Sequence, residues 1–162
     1  MNKFSKDFTF GTATSSYQIE GAYKEDGRSL SIWDMFSRIP GKVLNMAHGD
    51  IACDHYHLYE KDIEILKTLG VDSYRFSIAW PRIFPKQGQY NEAGMNFYKK
   101  LIFLLNENGI KPAVTLYHWD LPMWAHEQGG WTNRDSVDWF IQYAEKCFEE
   151  LDEHVDMWIT HN

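Results

Sequence analysis

The segment Ser73-Tyr74-Arg75-Phe76-Ser77-Ile78 reads as a strand, with Tyr74, Phe76 and Ile78 on one parity and Ser73, Arg75 and Ser77 on the other. A strand buried in a parallel sheet is nearly all apolar, so a guanidinium on its second face needs an acceptor there. Either Arg75 reaches the rim and is solvated, as most arginines are, or it holds a buried carboxylate in its ionised form. No strand of the chain supplies an obvious acidic partner. A second group, His118-Trp119-Asp120-Leu121-Pro122, follows another strand-like run. A His beside a Trp at a strand end suits hydrogen bonding plus stacking to one ligand, although a lone His serves equally well as a structural hydrogen-bonding group. His55-Tyr56-His57 has the H-x-H form of a metal motif but falls at a helix start, where positions i and i+2 diverge, and is set aside. Cys147 sits in a helical apolar stripe and reads as core, and Cys53 carries no sign of reactivity. No Ser-His-Asp or Cys-His arrangement follows from spacing.

The elements that must carry these groups alternate between short β-rich runs and amphipathic helices. A first strand is expected over Phe8–Ala13, then a polar stretch to Asp54, which caps a helix with Tyr56, Tyr59, Ile63 and Leu66 on its apolar face. Gly70 closes that helix. A strand over Asp72–Ile78 and a Pro/Gly-rich loop over Pro81–Tyr90 come next. Asn91 opens a second helix using Tyr98, Leu101 and Leu105, which ends at Gly109, and Pro112 begins a third strand, Ala113–Tyr117. Thr132 starts a third helix with a capping-box-like Thr132/Asp135 pair. Its stripe is Val137, Phe140, Ile141, Ala144, Cys147, Phe148 and Leu151. A fourth strand, Val155–Thr160, closes the order. This is a parallel α/β pattern, compatible with a doubly wound open sheet or with the first half of a (β/α)₈ TIM barrel. No G-x-G-x-x-G or Walker loop follows a strand, which weakens a nucleotide-binding sheet. The strands instead run into loops bearing His, Trp, Asn or Arg, where barrel enzymes place their chemistry.

Composition narrows the class. The 162 residues carry 16 Lys+Arg against 23 Asp+Glu, a net charge of −7, and this acidic balance argues against nucleic acid or an anionic membrane as partner. At 44% hydrophobic and 24% charged the chain is globular in type, without repeat or linker. No run approaches the roughly 20 apolar residues of a membrane span, Met1–Asp7 has no signal-peptide stretch, and two cysteines form neither a disulfide framework nor a zinc site alone. A cytoplasmic protein is expected. Aromatics reach 16%; those beside Gly, Pro or His, such as Trp119, Trp124 and Trp131, either anchor loops in the core or offer stacking faces to flat ligands such as sugar rings.

Phe8-Thr9-Phe10-Gly11-Thr12-Ala13-Thr14-Ser15-Ser16-Tyr17-Gln18-Ile19-Glu20-Gly21-Ala22 resembles the N-terminal signature of glycoside hydrolase family 1. Further segments agree in order: Ser31-Ile32-Trp33-Asp34, Tyr74-Arg75-Phe76-Ser77-Ile78-Ala79-Trp80-Pro81-Arg82-Ile83, Tyr117-His118-Trp119-Asp120-Leu121-Pro122 and Trp158-Ile159-Thr160-His161-Asn162. The resemblance covers residues 1–162 as part of one (β/α)₈ glycosidase domain. It implies a retaining β-glycosidase that needs no metal or cofactor and acts on terminal non-reducing β-glucosyl or β-galactosyl residues of small glycosides such as cellobiose. By the same resemblance Gln18 binds the far hydroxyls of the sugar, His118 the neighbouring 3-hydroxyl, Trp119 lines that sugar, Asn162 holds the 2-hydroxyl, and Arg75 contacts the nucleophilic carboxylate. The Tyr-His-Trp-Asp-Leu-Pro form is closer to the β-glucosidase branch than to the 6-phospho-glycosidase branch.

The sequence departs from the family pattern in one respect. The acid/base Glu is expected directly after Asn162 and the nucleophilic Glu later still, so neither catalytic carboxyl lies within the chain. Retention needs both, about 5–5.5 Å apart. Four strands also fall short of a closed barrel, so the expected partner is the C-terminal half of the barrel or a second copy covering the open strand edges. The alternative to a part of a β-glucosidase is an inactive, self-associating half barrel that at most binds sugars.

Overall fold

The computed structural model describes residues 4–162; Met1, Asn2 and Lys3, at the head of the stretch read for a leader, lie outside the described residues. The elements in chain order are β1 (Gly11–Ala13), α1 (Ser16–Ile19), α2 (Ile32–Phe36), α3 (His55–Leu69), β2 (Ser73–Ser77), α4 (Trp80–Ile83), α5 (Glu92–Glu107), β3 (Lys111–Tyr117), α6 (Met123–Glu127), α7 (Ser136–Leu151) and β4 (Met157–His161). The four strands form one sheet in the order β1-β2-β3-β4, every pair parallel. A doubly wound sheet reverses its strand order at a switch point. Here each strand lies beside the one made just before it, and the sheet follows the sequential order of a barrel wall.

Register explains the two faces. Ala13, Arg75, Ala113 and Met157 stand side by side across the sheet, as do Ser77, Thr115 and Ile159. The alternate positions Tyr74, Phe76, Val114 and Leu116 are buried against the long helices α3, α5 and α7. That core takes Ile63 and Leu66 from α3, Met95, Tyr98, Leu101, Ile102 and Leu105 from α5, and Tyr143, Cys147 and Leu151 from α7. Tyr56 and Tyr59 lie half-buried at its edge. β1 and β4 each pair on one side only. Phe8, Phe10, Ile65 and Leu69 are exposed toward the β1 end, and Val137, Ile141, Phe148 and Met157 toward the β4 end.

Several local expectations need correction. Helix α7 begins at Ser136, not Thr132; Thr132 closes a single 3₁₀ turn, its hydroxyl donates to Gly129 O, and no Thr132/Asp135 capping box forms. The buried stripe of α7 is centred on Trp139, Tyr143, Ala144, Cys147 and Leu151, so Val137, Ile141 and Phe148 lie at its exposed margin. The aromatic rings of Trp139 and Tyr143 displaced the aliphatic side chains from the face that packs on the core. Asp54 precedes α3 but is left-handed (φ 56°) and does not cap it; its carboxylate meets His57 Nδ1 at 2.6 Å instead. Asn91 likewise precedes α5 without capping it, and its Nδ2 donates to Arg82 O and Asp26 O. The loop expected from Pro81 starts as α4. Gly70 closes α3 as expected, at φ +68° with its N–H donating to the carbonyls of Leu66 and Lys67.

Candidate active site at the strand ends

β2 presents Arg75 on the face of the sheet turned away from the helices, between Ala13 and Ala113, whose small side chains leave it room to extend. Its Nε donates to Thr115 Oγ1 on β3 at 2.9 Å, and an Nη2 proton reaches Asn162 Oδ1 just past β4 at 2.8 Å. Both open readings of Arg75 are therefore half met. It is half-buried rather than free at the rim, and its partners within the chain are neutral acceptors rather than a carboxylate. Asn162 is tied down twice more: its N–H donates to Tyr117 O at 3.1 Å, and its carbonyl accepts from Trp119 Nε1 at 3.1 Å.

His118 and Trp119 follow β3. Burial and the positive charge of Arg75 both lower the His118 pKa, so its imidazole is neutral near pH 7 and able to donate and accept at once. Its Nδ1 is buried without a hydrogen-bond partner among the described residues. Trp119 holds a left-handed backbone (φ 72°), rare for a bulky side chain and typical of strain kept at working sites. It is 51% exposed and Trp131 43%, and all three indoles are tied by their N–H: Trp119 to Asn162 O, Trp131 to Tyr117 Oη, and Trp124, half-buried on α6, to Phe84 O. Anchoring through the indole N–H is therefore seen at all three residues, and the exposed rings are those of Trp119 and Trp131.

Gln18 lies exposed on α1, the single turn that follows β1. So the structure brings Arg75, His118, Trp119 and Asn162 into one group, Arg75 reaching from the middle of β2 to the residues that follow β3 and β4. It links Gln18 to them only through the residues that hold its helix. An apolar groove of about 340 Å³ between Trp33, Phe36, Ile39 and Met123 contains none of the five.

Sequence reasoning assigned no role to the groups behind this surface. Glu20 is buried against Arg82, with Arg82 Nη2 to Glu20 Oε2 at 3.1 Å, and Tyr98 Oη donates to Glu20 Oε1 at 2.6 Å. Arg82 is fully buried; its Nη1 has no hydrogen-bond partner among the described residues, and the guanidinium lies 4.2 Å from the centre of the Tyr56 ring. Gly94 on α5 is required by this packing, since a Cβ there would lie 2.3 Å from Arg82 O. Ser16, Ser77 and Asp120 form a second buried polar group. Glu20, Ser77 and Asp120 each fall inside a motif quoted above, but their partners lie 61 to 104 residues away and leave no local trace.

The H-x-H pair behaves as its helical position demands. His55 is buried with Nδ1 2.6 Å from Asp62, while His57 points to the surface between Asp54 and Glu25. Among the described residues no three His, Cys, Asp or Glu side chains gather as a metal site would require. Cys147 is buried, and that burial raises its thiol pKa; Cys53 is exposed.

The model of glycosyl hydrolase family 1 matches residues 1–162. The chain belongs to that family. It is 58% identical to β-glucosidase A of Acetivibrio thermocellus over 98% of its length, and 50% identical to β-glucosidase A of Thermotoga maritima over 100%. It spans about 36% of the length of each of these curated relatives. The crystal structure of the family 1 β-glucosidase of Exiguobacterium antarcticum superposes with a TM-score of 0.98 at 68% identity, over 99% of this chain and 36% of that one. The T. maritima β-glucosidase in complex with deoxynojirimycin superposes equally well at 50% identity, over 100% of this chain and 37% of that one. The four-stranded sheet is therefore the first half of a (β/α)₈ barrel, and the doubly wound alternative is excluded.

Proposed function

We propose that this chain is the sugar-holding part of a retaining β-glucosidase, hydrolysing terminal non-reducing β-D-glucosyl or β-galactosyl residues of small glycosides such as cellobiose. The observation that carries the reading is the Arg75–Asn162–Trp119 unit: Arg75, from the middle of β2, donates to the Asn162 side chain, and the Trp119 indole donates to the Asn162 backbone carbonyl. Gln18 and the neutral His118 bind the hydroxyls of one sugar, and Trp119 lies along its ring. Asn162 holds the 2-hydroxyl, a contact that strengthens as positive charge develops at the anomeric carbon. Arg75 contacts the attacking carboxylate, the anionic partner that its neutral contacts here do not supply.

The reaction itself needs two carboxyls. One attacks the anomeric carbon as the other protonates the leaving oxygen; water then releases the sugar with the second acting as base. Both belong to the remainder of the barrel, the acid/base Glu directly after Asn162, so the chain by itself is inactive. That remainder is the partner which pairs the free sides of β1 and β4. The two cysteines, neither in a disulfide, suit the reducing cytoplasm. No helix among the described residues is long and apolar enough to cross a membrane.

The test is turnover of p-nitrophenyl β-D-glucoside by the chain alone and by the complete barrel containing it, with proton NMR of the first-formed sugar. The expected result is no turnover for the chain, and turnover with retention for the barrel. Gln18→Ala and Asn162→Ala in the barrel should then lower kcat/KM by about 10²-fold or more, several kcal/mol of transition-state contact. An inactive complete barrel would sink the reading. The singly paired edges favour a second one, an inactive half barrel self-associated through β1 and β4. A native mass of twice the chain without sugar turnover in any form would establish it.

A further inference from the structure

Helix α1 is one turn of four residues, far too short to persist on its own. The position of Gln18 therefore depends on what pins that turn at its two ends. At the far end Glu20 is locked by Arg82 and Tyr98. At the near end Ser16, its first residue, donates its hydroxyl to Asp120 Oδ2 at 2.6 Å and its N–H to Ser77 Oγ at 2.8 Å, and Ser77 Oγ donates to Ser16 Oγ at 3.2 Å. All three residues are buried. One small knot thus joins the last residue of β2 to the segments that follow β1 and β3, and it lies two residues from Gln18 and two from His118.

From this placement we propose that Asp120 is a positioning residue, holding the Gln18 turn at a fixed separation from His118 and Trp119 so that the two sides of one sugar are gripped together. The inference rests on the glucosidase reading and adds to it a residue that touches no substrate. A stability role alone accounts poorly for the arrangement. Asp120 Oδ1 is buried without a hydrogen-bond partner among the described residues, and an apolar pair at positions 16 and 120 would avoid that cost. What a short hydrogen bond to a carboxylate adds is a defined geometry. The loop carrying Asp120 is itself held beyond this point, Ile32 N–H donating to Leu121 O and Met123 N–H to Leu30 O, both at 2.9 Å. Asp120 therefore works from a fixed base, and α1 is the part it locates.

The test compares Ser16→Ala, Asp120→Ala and Asp120→Asn with the parent in the complete barrel, well below the melting temperature of each variant. The readouts are kcat and KM for p-nitrophenyl β-D-glucoside and inhibition by deoxynojirimycin. Ser16→Ala and Asp120→Ala should each lose about 10–100-fold in kcat/KM, the usual effect of a misplacement near 1 Å, with weaker inhibition. Asp120→Asn should recover most of the loss, because its amide oxygen still accepts from Ser16. Should Asp120→Ala fail to fold, Ser16→Ala and Asp120→Asn carry the comparison. A parent that turns over no glucoside overturns the functional reading and this inference with it. An active parent whose folded variants keep its kcat/KM and inhibition overturns this inference alone, as does an Asn variant no better than Ala.

Discussion

Behind the Gln18 turn, Glu20 and Arg82 close on each other out of water, with Tyr98 completing the carboxylate. In front of it, Arg75 lies half-open and meets only the neutral oxygens of Thr115 and Asn162. The two arginines stand seven positions apart, yet one is paired with a buried carboxylate and the other meets only neutral oxygens. The difference teaches where this chain is self-sufficient. Arg82 has its counter-charge within the chain, whereas on the proposed reading Arg75 meets its anion only in the remainder of the barrel.

The sharpest way to break this contrast is at Glu20. Glu20→Gln leaves the fully buried Arg82 without its counter-charge and should cost about 3–5 kcal/mol in urea unfolding; a loss below about 1 kcal/mol would erase the distinction between the two arginines. Asp120 comes next, through pH. Burial pushes its carboxyl up to about 6 from an ordinary value of 3.8, although the Ser16 hydrogen bond and the Arg28 charge pull the other way. Between those values the folded state binds more protons than the unfolded one, so stability falls as pH rises through this window. Relative to Asp120→Asn, the parent should lose on the order of 3 kcal/mol between about pH 4 and 7. Parallel stability curves for the two proteins would show that Asp120 keeps an ordinary affinity for its proton.

Gly94→Ala probes the packing that encloses Arg82. Helix propensity favours alanine by about 1 kcal/mol, but the added methyl meets backbone at Arg82 O, so thermal melting should show a net loss of about 1–2 kcal/mol. The smallest effect on stability is expected at the open arginine. Arg75→Gln should change unfolding free energy by less than about 1 kcal/mol, while kcat/KM of the complete barrel falls steeply. Equal losses of stability at Arg75 and Glu20 would put both arginines in the same structural role.

Local pattern served where the chain's own backbone decides the outcome. The glycine stop at Gly70, the alternation through Tyr74, Arg75 and Phe76, and the apolar spacing of α5 were all legible, because each depends on neighbours within a few residues. Helix starts were read less well. Asp54, Asn91 and Thr132 are good capping residues by type, but each spends its side chain on another partner once the fold is formed. The stripe of α7 was displaced for a similar reason, since Trp139 and Tyr143 claim the core by size and by the hydrogen bonds of Tyr143 to Ile78 O and Leu116 O. At the site, Arg75 was conspicuous as a charge in an apolar strand. Asp120 had no such signature, because its meaning lies in a serine 104 residues earlier.

The sequential order of the strands has a bearing on how the molecule comes into being. Each strand docks on the one made immediately before it, with its helix folded over the seam. β2, β3 and β4 each meet a partner that is already made, so this stretch of the wall can grow from the N-terminus at the pace of synthesis. At every stage the newest strand is a template bearing unpaired backbone groups on one side. When β4 has just been made it occupies that place, and its free side is then the surface that needs protection from unwanted pairing while the nascent protein is still on the ribosome.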